Sequence, residues 1–143
     1  MTAQRLETRC FPARPAALAQ VRRLVRDTGA RLRLPAAAVE DMVLAVNEAC
    51  MNIVQHGYGD NDHGEITLEI LTGDNEVVFR LIDRAPRIDP ASLRPRPLDE
   101  IRPGGLGIHF INSVMDKVAY KPTADDYGNI LELHKKIPPE ATP

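Results

Sequence analysis

The hydrophobic period of this chain changes near Gly57. From Pro15 to that point apolar residues recur every three or four positions, the repeat of an amphipathic helix. From Glu65 they recur every second position, the repeat of a half-buried strand. Ala17, Leu18, Val21, Leu24 and Val25 form one helical stripe between Pro15 and Thr28, with Arg22, Arg23 and Arg26 mostly off it, and Gly29 is expected to close that helix. A second helix is expected after Pro35, a residue suited to a first turn. Its buried stripe is Val39, Met42, Val43, Val46, Ala49, Cys50, Ile53 and Val54. Glu40 and Asp41 are expected in its first turn, where the helix dipole favours acids, and its end at about Gln55 or His56.

The period-two segments come in pairs. Glu65–Leu71 and Glu76–Asp83 flank the turn cluster Thr72-Gly-Asp-Asn75 and predict an antiparallel hairpin. Lys117–Lys121 and Asn129–Lys136 predict two closing strands, and Arg5–Phe11 a first strand with a partly apolar, exposed edge. A short helix is expected after Gly105, with Leu106, Ile108, Phe110, Ile111, Val114 and Met115 as its apolar residues. Paired strands with helices between the pairs predict an α+β two-layer sandwich: a mixed, mostly antiparallel sheet covered on one face by three helices. A doubly wound parallel sheet is disfavoured because strict β-α alternation is missing. The 143 residues suit a single domain, 1–143, and with no Trp its core must be aliphatic.

Composition excludes several functions. A net charge of −2 argues against a nucleic-acid binder. No apolar run is long enough to span a membrane, and the segment carrying Arg5, Arg9 and Arg14 has no apolar core of a secretory signal. Cys10 and Cys50 read as two buried thiols of a cytoplasmic protein. Cysteine and histidine are too sparse for a zinc site.

Three places can carry chemistry. Glu48, Asn52 and His56 stand at i, i+4 and i+8 on the second helix, so they share one face. An amide oxygen is a hard neutral ligand for Mg²⁺, and a carboxylate one turn away can orient or deprotonate a nucleophile. A solvated helix face gives the same spacing. Asp83 ends the apolar strand Val77–Ile82, as a specific acceptor for an exocyclic amine or as a cap of the following turn. Gly104, Gly105, Leu106, Gly107 and Ile108 stand at the start of a helix, where free amides bind phosphate; a hinge is the other reading. Between Asp83 and this cluster lies an irregular stretch from Arg84 to Gly105. It is rich in proline and in Arg87, Arg94, Arg96 and Arg102, which points to a functional lid or a disordered insert.

Together these segments resemble three boxes of the GHKL ATPase superfamily. Val43–Tyr58 resembles its N box, Leu81–Pro90 its first glycine box and Gly104–Val118 its second. Asn47-Glu48-Ala49 and Met115-Asp116 make the resemblance greatest to the anti-sigma-factor serine/threonine kinases of bacterial partner switching. The resemblance covers about residues 10 to 136 and implies the Bergerat fold, ATP and Mg²⁺. It implies Glu48 as general base toward a seryl or threonyl hydroxyl and Asn52 as the Mg²⁺ ligand. His56 falls in the N box, Asp83 would accept from the adenine amine, and Gly104 to Ile108 would cradle the phosphates. The lid would run from 84 to about 104. Ala85 stands where the family usually has Gly and would bring one methyl toward the purine. The implied partners are a small phosphorylatable antagonist, a sigma factor and a second copy in a homodimer. The alternative is a non-catalytic or nucleotide-gated module that sequesters its partner; a hydrolase driven by lid closure comes third.

Overall fold

The computed structural model describes residues 4–59, 64–86, 105–124 and 128–137, with backbone alone for 105–108. The elements are β1 (Gln4–Pro12), a 3₁₀ turn (Pro15–Ala17), α1 (Leu18–Arg31), α2 (Ala36–Asn52) and a π turn (Ile53–Gly57). They continue with β2 (Glu65–Gly73), β3 (Glu76–Asp83), α3 (Gly105–Val114), β4 (Lys117–Pro122) and β5 (Asn129–Lys136). The strands form one sheet in the order β1-β2-β3-β5-β4, and every pairing is antiparallel rather than mixed.

The hairpin between β2 and β3 is set by its turn. Gly73 pairs with Glu76, and Asp74 and Asn75 take φ of 52° and 60°. Two left-handed residues in a two-residue loop match the twist of the flanking strands, and Asp and Asn tolerate that conformation. One face of the sheet presents Ile66, Leu68, Ile70, Val77, Phe79, Leu81 and Leu133, all at 0% exposure. The three helices cover that face; α2 lies centrally, packed against both α1 and α3. The core is aliphatic, as the composition requires, with Phe79 its largest fully buried side chain. On the other face a ladder of charges crosses the strands: Arg80 binds Glu69 at 3.2 Å and Glu132 at 2.8 Å, and Lys121 reaches Glu132 at 3.2 Å. Burial opposes the charge on Glu132, but the bonds from Arg80 and Lys121 hold its carboxyl below the usual glutamate range.

Four local expectations are corrected. α1 does not close at Gly29 but runs to Arg31, where Leu32 caps it and Arg33 takes φ 56°. Gly29 is buried inside the helix because α1 and α2 cross there. α2 starts at Ala36 with Pro35 as its cap, so Glu40 and Asp41 fall beyond the first turn, and Glu40 pairs with Arg26 of α1 at 3.1 Å. Its α-helical part ends at Asn52. Cys10 is exposed on the edge strand β1; only Cys50 is buried, and desolvation pushes its thiol up to about 12.

A Cβ on Gly29 would sit 2.5 Å and 2.8 Å from the two methyls of Val39. Gly29→Ala is therefore expected to lower stability by about 1–3 kcal/mol in urea denaturation, despite the higher helix propensity of alanine. Adding Val39→Ala is expected to relieve that clash, so the second substitution costs less in the Gly29→Ala background than alone.

Candidate functional site

α2 presents Glu48 and Asn52 one turn apart, both half-buried. The neighbouring Asn47 is committed elsewhere: its Oδ1 accepts a bond from Arg22 of α1 at 2.8 Å. After Asn52 the helix widens. The amide of Tyr58 donates to the carbonyl of Ile53 at 2.8 Å, an i→i+5 bond that defines the π turn. The regular period that aligns Glu48 with Asn52 ends there, and His56, inside the π turn, is exposed. Such turns admit an extra residue per turn and so rotate the next side chains about the helix axis.

The π turn is fixed to the end of β3. The Tyr58 hydroxyl donates to the Glu65 carbonyl at 2.8 Å and accepts from the Arg84 amide at 2.8 Å. Ala85 is buried, and a Cβ added to Gly57 would lie 3.2 Å from its methyl. The methyl therefore packs against a position that has no side chain. Ala85 is not among the residues with positive φ, so its backbone needs no glycine.

Asp83, at 3% exposure, ends β3 on the helix-covered face. Its Oδ1 accepts the Ala85 amide at 2.9 Å and the side-chain amide of Asn129 at 2.9 Å. The backbone amide of Asn129 bonds to the Asp83 carboxylate as well. Burial raises the Asp83 carboxyl above the usual aspartate range, against the pull of those three bonds. Asn129 opens β5 directly opposite Asp83 in the ladder. Its Nδ2 also donates to the Pro86 carbonyl at 3.1 Å, and its Oδ1 accepts from the Tyr120 hydroxyl at 2.9 Å.

The glycine segment is described in part. Gly105 opens α3, so Gly105, Leu106, Gly107 and Ile108 lie in a helical first turn, whose amides have no intrahelical acceptor. Gly104 lies outside the described residues, as does the proposed lid from Arg87 onward. Among the described residues no group of three or more His, Cys, Asp or Glu could cage a metal ion. An amide oxygen beside a carboxylate suits instead a Mg²⁺ carried in by phosphates, which needs few protein ligands.

Residues 11–135, which span all of these groups, match the histidine kinase-like ATPase domain family. The chain belongs to that family. It is 34% identical over 117 residues to the serine-protein kinase RsbW of Bacillus cereus, covering 76% of this chain and 72% of that one. RsbW of Oceanobacillus iheyensis is 27% identical over 137 residues, with 90% and 85% covered. Two solved structures have the same fold. The SiaB–SiaC complex of Pseudomonas aeruginosa gives a TM-score of 0.67 at 16% identity, over 93% of this chain and 91% of the matched chain. The RsbU and RsbW domains of Rv1364c of Mycobacterium tuberculosis give 0.64 at 21% identity, over 95% of this chain and 32% of that longer one.

Of the residues singled out in the sequence, the fold brings the end of α2 against the Asp83–Ala85 segment. It adds Tyr58, Tyr120 and Asn129, which sequence reasoning does not single out. Tyr58 lies within the N-box segment and signals nothing by itself. Asn129 comes after Gly128, which takes φ 98°, and a polar residue just after a glycine at the start of an apolar strand is the one local hint.

Tyr58→Phe removes a hydroxyl that bridges two backbone groups. The expected loss is about 1–2 kcal/mol of stability. Hydrogen exchange at the Arg84 amide should become faster than in the wild type, more so than at amides in the middle of β3.

Proposed function

We propose that the protein is an ATP-dependent protein serine/threonine kinase of the anti-sigma-factor type, acting on a small antagonist protein in a partner-switching system. The observation that carries this reading is the joining of two parts: a half-buried Glu48–Asn52 pair on α2, and a buried Asp83 whose flanking residues are bound to the end of that same helix. The family membership and the RsbW relatives support the same chemistry.

In this reading Asp83 accepts from the exocyclic amine of adenine, and the first-turn amides of α3, with Gly104, hold the phosphates. His56 and Ala85 border the nucleotide. Asn52 holds Mg²⁺ through its side-chain oxygen; the ion, when bound, neutralises charge on the β- and γ-phosphates. Glu48 takes the proton of the acceptor hydroxyl as its oxygen forms a bond to the γ-phosphorus. The bond from that phosphorus to the β–γ bridging oxygen breaks, and ADP departs. Lid cations between Arg84 and Pro103 complete the neutralisation. The phosphoryl group adds charge at the antagonist's interface and breaks its complex by repulsion and desolvation.

The protein works as a single cytoplasmic domain and as a homodimer, with a sigma factor as the partner released or retained by the switch. No described helix is long and apolar enough to cross a membrane. The sequestering-module alternative drew on Ala85, and that methyl faces Gly57.

The test is phosphoryl transfer from ATP and Mg²⁺ to the antagonist encoded beside the kinase. Glu48→Gln is expected to lower the transfer rate by about 10²–10⁴-fold while leaving ATP affinity within about threefold of wild type. Wild-type transfer by Glu48→Gln would remove the base assignment, and absence of any ATP binding by the wild type would leave the sequestering module as the reading.

A further inference from the structure

Resting on the reading of Asp83 as the purine acceptor, we propose that Asn129, held in place by the Tyr120 hydroxyl, is the positioning residue that sets base selectivity. It fixes the Asp83 carboxylate without itself touching the base.

The geometry leaves the Asn129 amide one orientation. One Nδ2 proton goes to Asp83 Oδ1 at 2.9 Å and the other to the Pro86 carbonyl at 3.1 Å, with the Ala85 carbonyl at 3.5 Å. Oδ1 takes the Tyr120 hydroxyl at 2.9 Å. A flipped amide would turn an oxygen toward a carboxylate and two carbonyls, none of which can donate to it. Asn129 is 2% exposed, so water cannot replace these partners cheaply.

The backbone behind Asn129 is equally constrained. Gly128 takes φ 98°, and its amide donates to the Ala85 carbonyl at 3.0 Å. A Cβ at Gly128 would lie 2.9 Å from the Asp83 carbonyl. β5 therefore starts in close contact with residues 83–86, and Asn129 arrives opposite Asp83 by register.

With Oδ1 held by the Asn129 side chain and by the Ala85 amide, and with the Asn129 backbone amide also bonded to it, the carboxylate cannot rotate freely; a carboxylate has about four lone-pair sites, so it can still accept from a donor on the ligand. Those bonds also favour the ionised form of Asp83 against its burial. A fixed, ionised acceptor distinguishes a 6-amino purine, which donates, from a 6-oxo purine, which presents a lone pair to the carboxylate. A loose or protonated carboxyl accommodates both. The bond from Nδ2 to Pro86 further ties the acceptor to the first residues after β3.

The experiment compares binding of ATP and inosine triphosphate, each with Mg²⁺, by calorimetry in the full chain. The wild type is expected to prefer ATP by about a hundredfold. Asn129→Leu is expected to cut that preference about tenfold, and Tyr120→Phe, which removes the hold on Asn129 but not the amide, about threefold. A merely structural role predicts that both affinities fall together; an unchanged ratio in a folded Asn129→Leu overturns the proposal while leaving Asp83 as purine acceptor. If Asn129→Leu does not fold, an unchanged ratio in Tyr120→Phe overturns it in the same way. A wild type that binds both nucleotides equally overturns the Asp83 reading and this inference with it.

Discussion

Burying a carboxylate at the end of a central strand costs several kcal/mol unless its oxygens find donors. Asp83 meets that condition with the amide two residues ahead and the side chain of Asn129 across the ladder. Around this pair the chain has few alternatives. β5 must be in register with β3, Gly128 must be left-handed, and Tyr120 on β4 must reach Asn129. The positions of two strands and of residues 84–86 are thus set by one polar cluster. Apolar packing alone would tolerate small slips there; a hydrogen-bonded carboxylate does not.

The helical layer is tied to the same place by different means. The π turn directs Tyr58 back over the sheet, where its hydroxyl joins the start of β2 to the end of β3. Gly57 lets Ala85 approach. The helix that carries Glu48 and Asn52 is consequently not free to shift against Asp83. For a reaction that depends on positioning a nucleotide and a hydroxyl together, that rigidity is the fold's main contribution. The charge ladder of Glu69, Arg80, Glu132 and Lys121 lies on the opposite face of the sheet and takes no part in the site.

Much of this is legible in the sequence where local rules decide. The period-two segments place β2, β3 and β5 to within a residue or two, because alternation and burial are the same fact in a strand. The Asp74–Asn75 turn is read from residues that tolerate positive φ. The stripe of α2 is read correctly from Val39 to Val54. The features that escape a sequence reading depend on partners distant in the chain. Gly29 has the local signature of a helix end, yet its lack of a side chain serves the crossing with Val39. The π turn has no composition of its own. Cys10 falls on an edge strand, next to the buried Phe11 and so on the face that meets solvent. The Asp83–Asn129 contact spans 46 residues, and only the completed ladder reveals it. Glu48, Asn52 and Asp83 can be singled out because each brings a polar group to a telling position; Asn129 is marked only by the glycine before it.

The most direct measurement is a crystal structure with a non-hydrolysable ATP analogue and Mn²⁺ in place of Mg²⁺, located by its anomalous signal. The account predicts a metal peak at about 2.0–2.2 Å from Asn52 Oδ1, with the purine amine in hydrogen-bond distance of the Asp83 carboxylate. A metal bound away from residue 52, or a base that leaves Asp83 without a ligand partner, would contradict it.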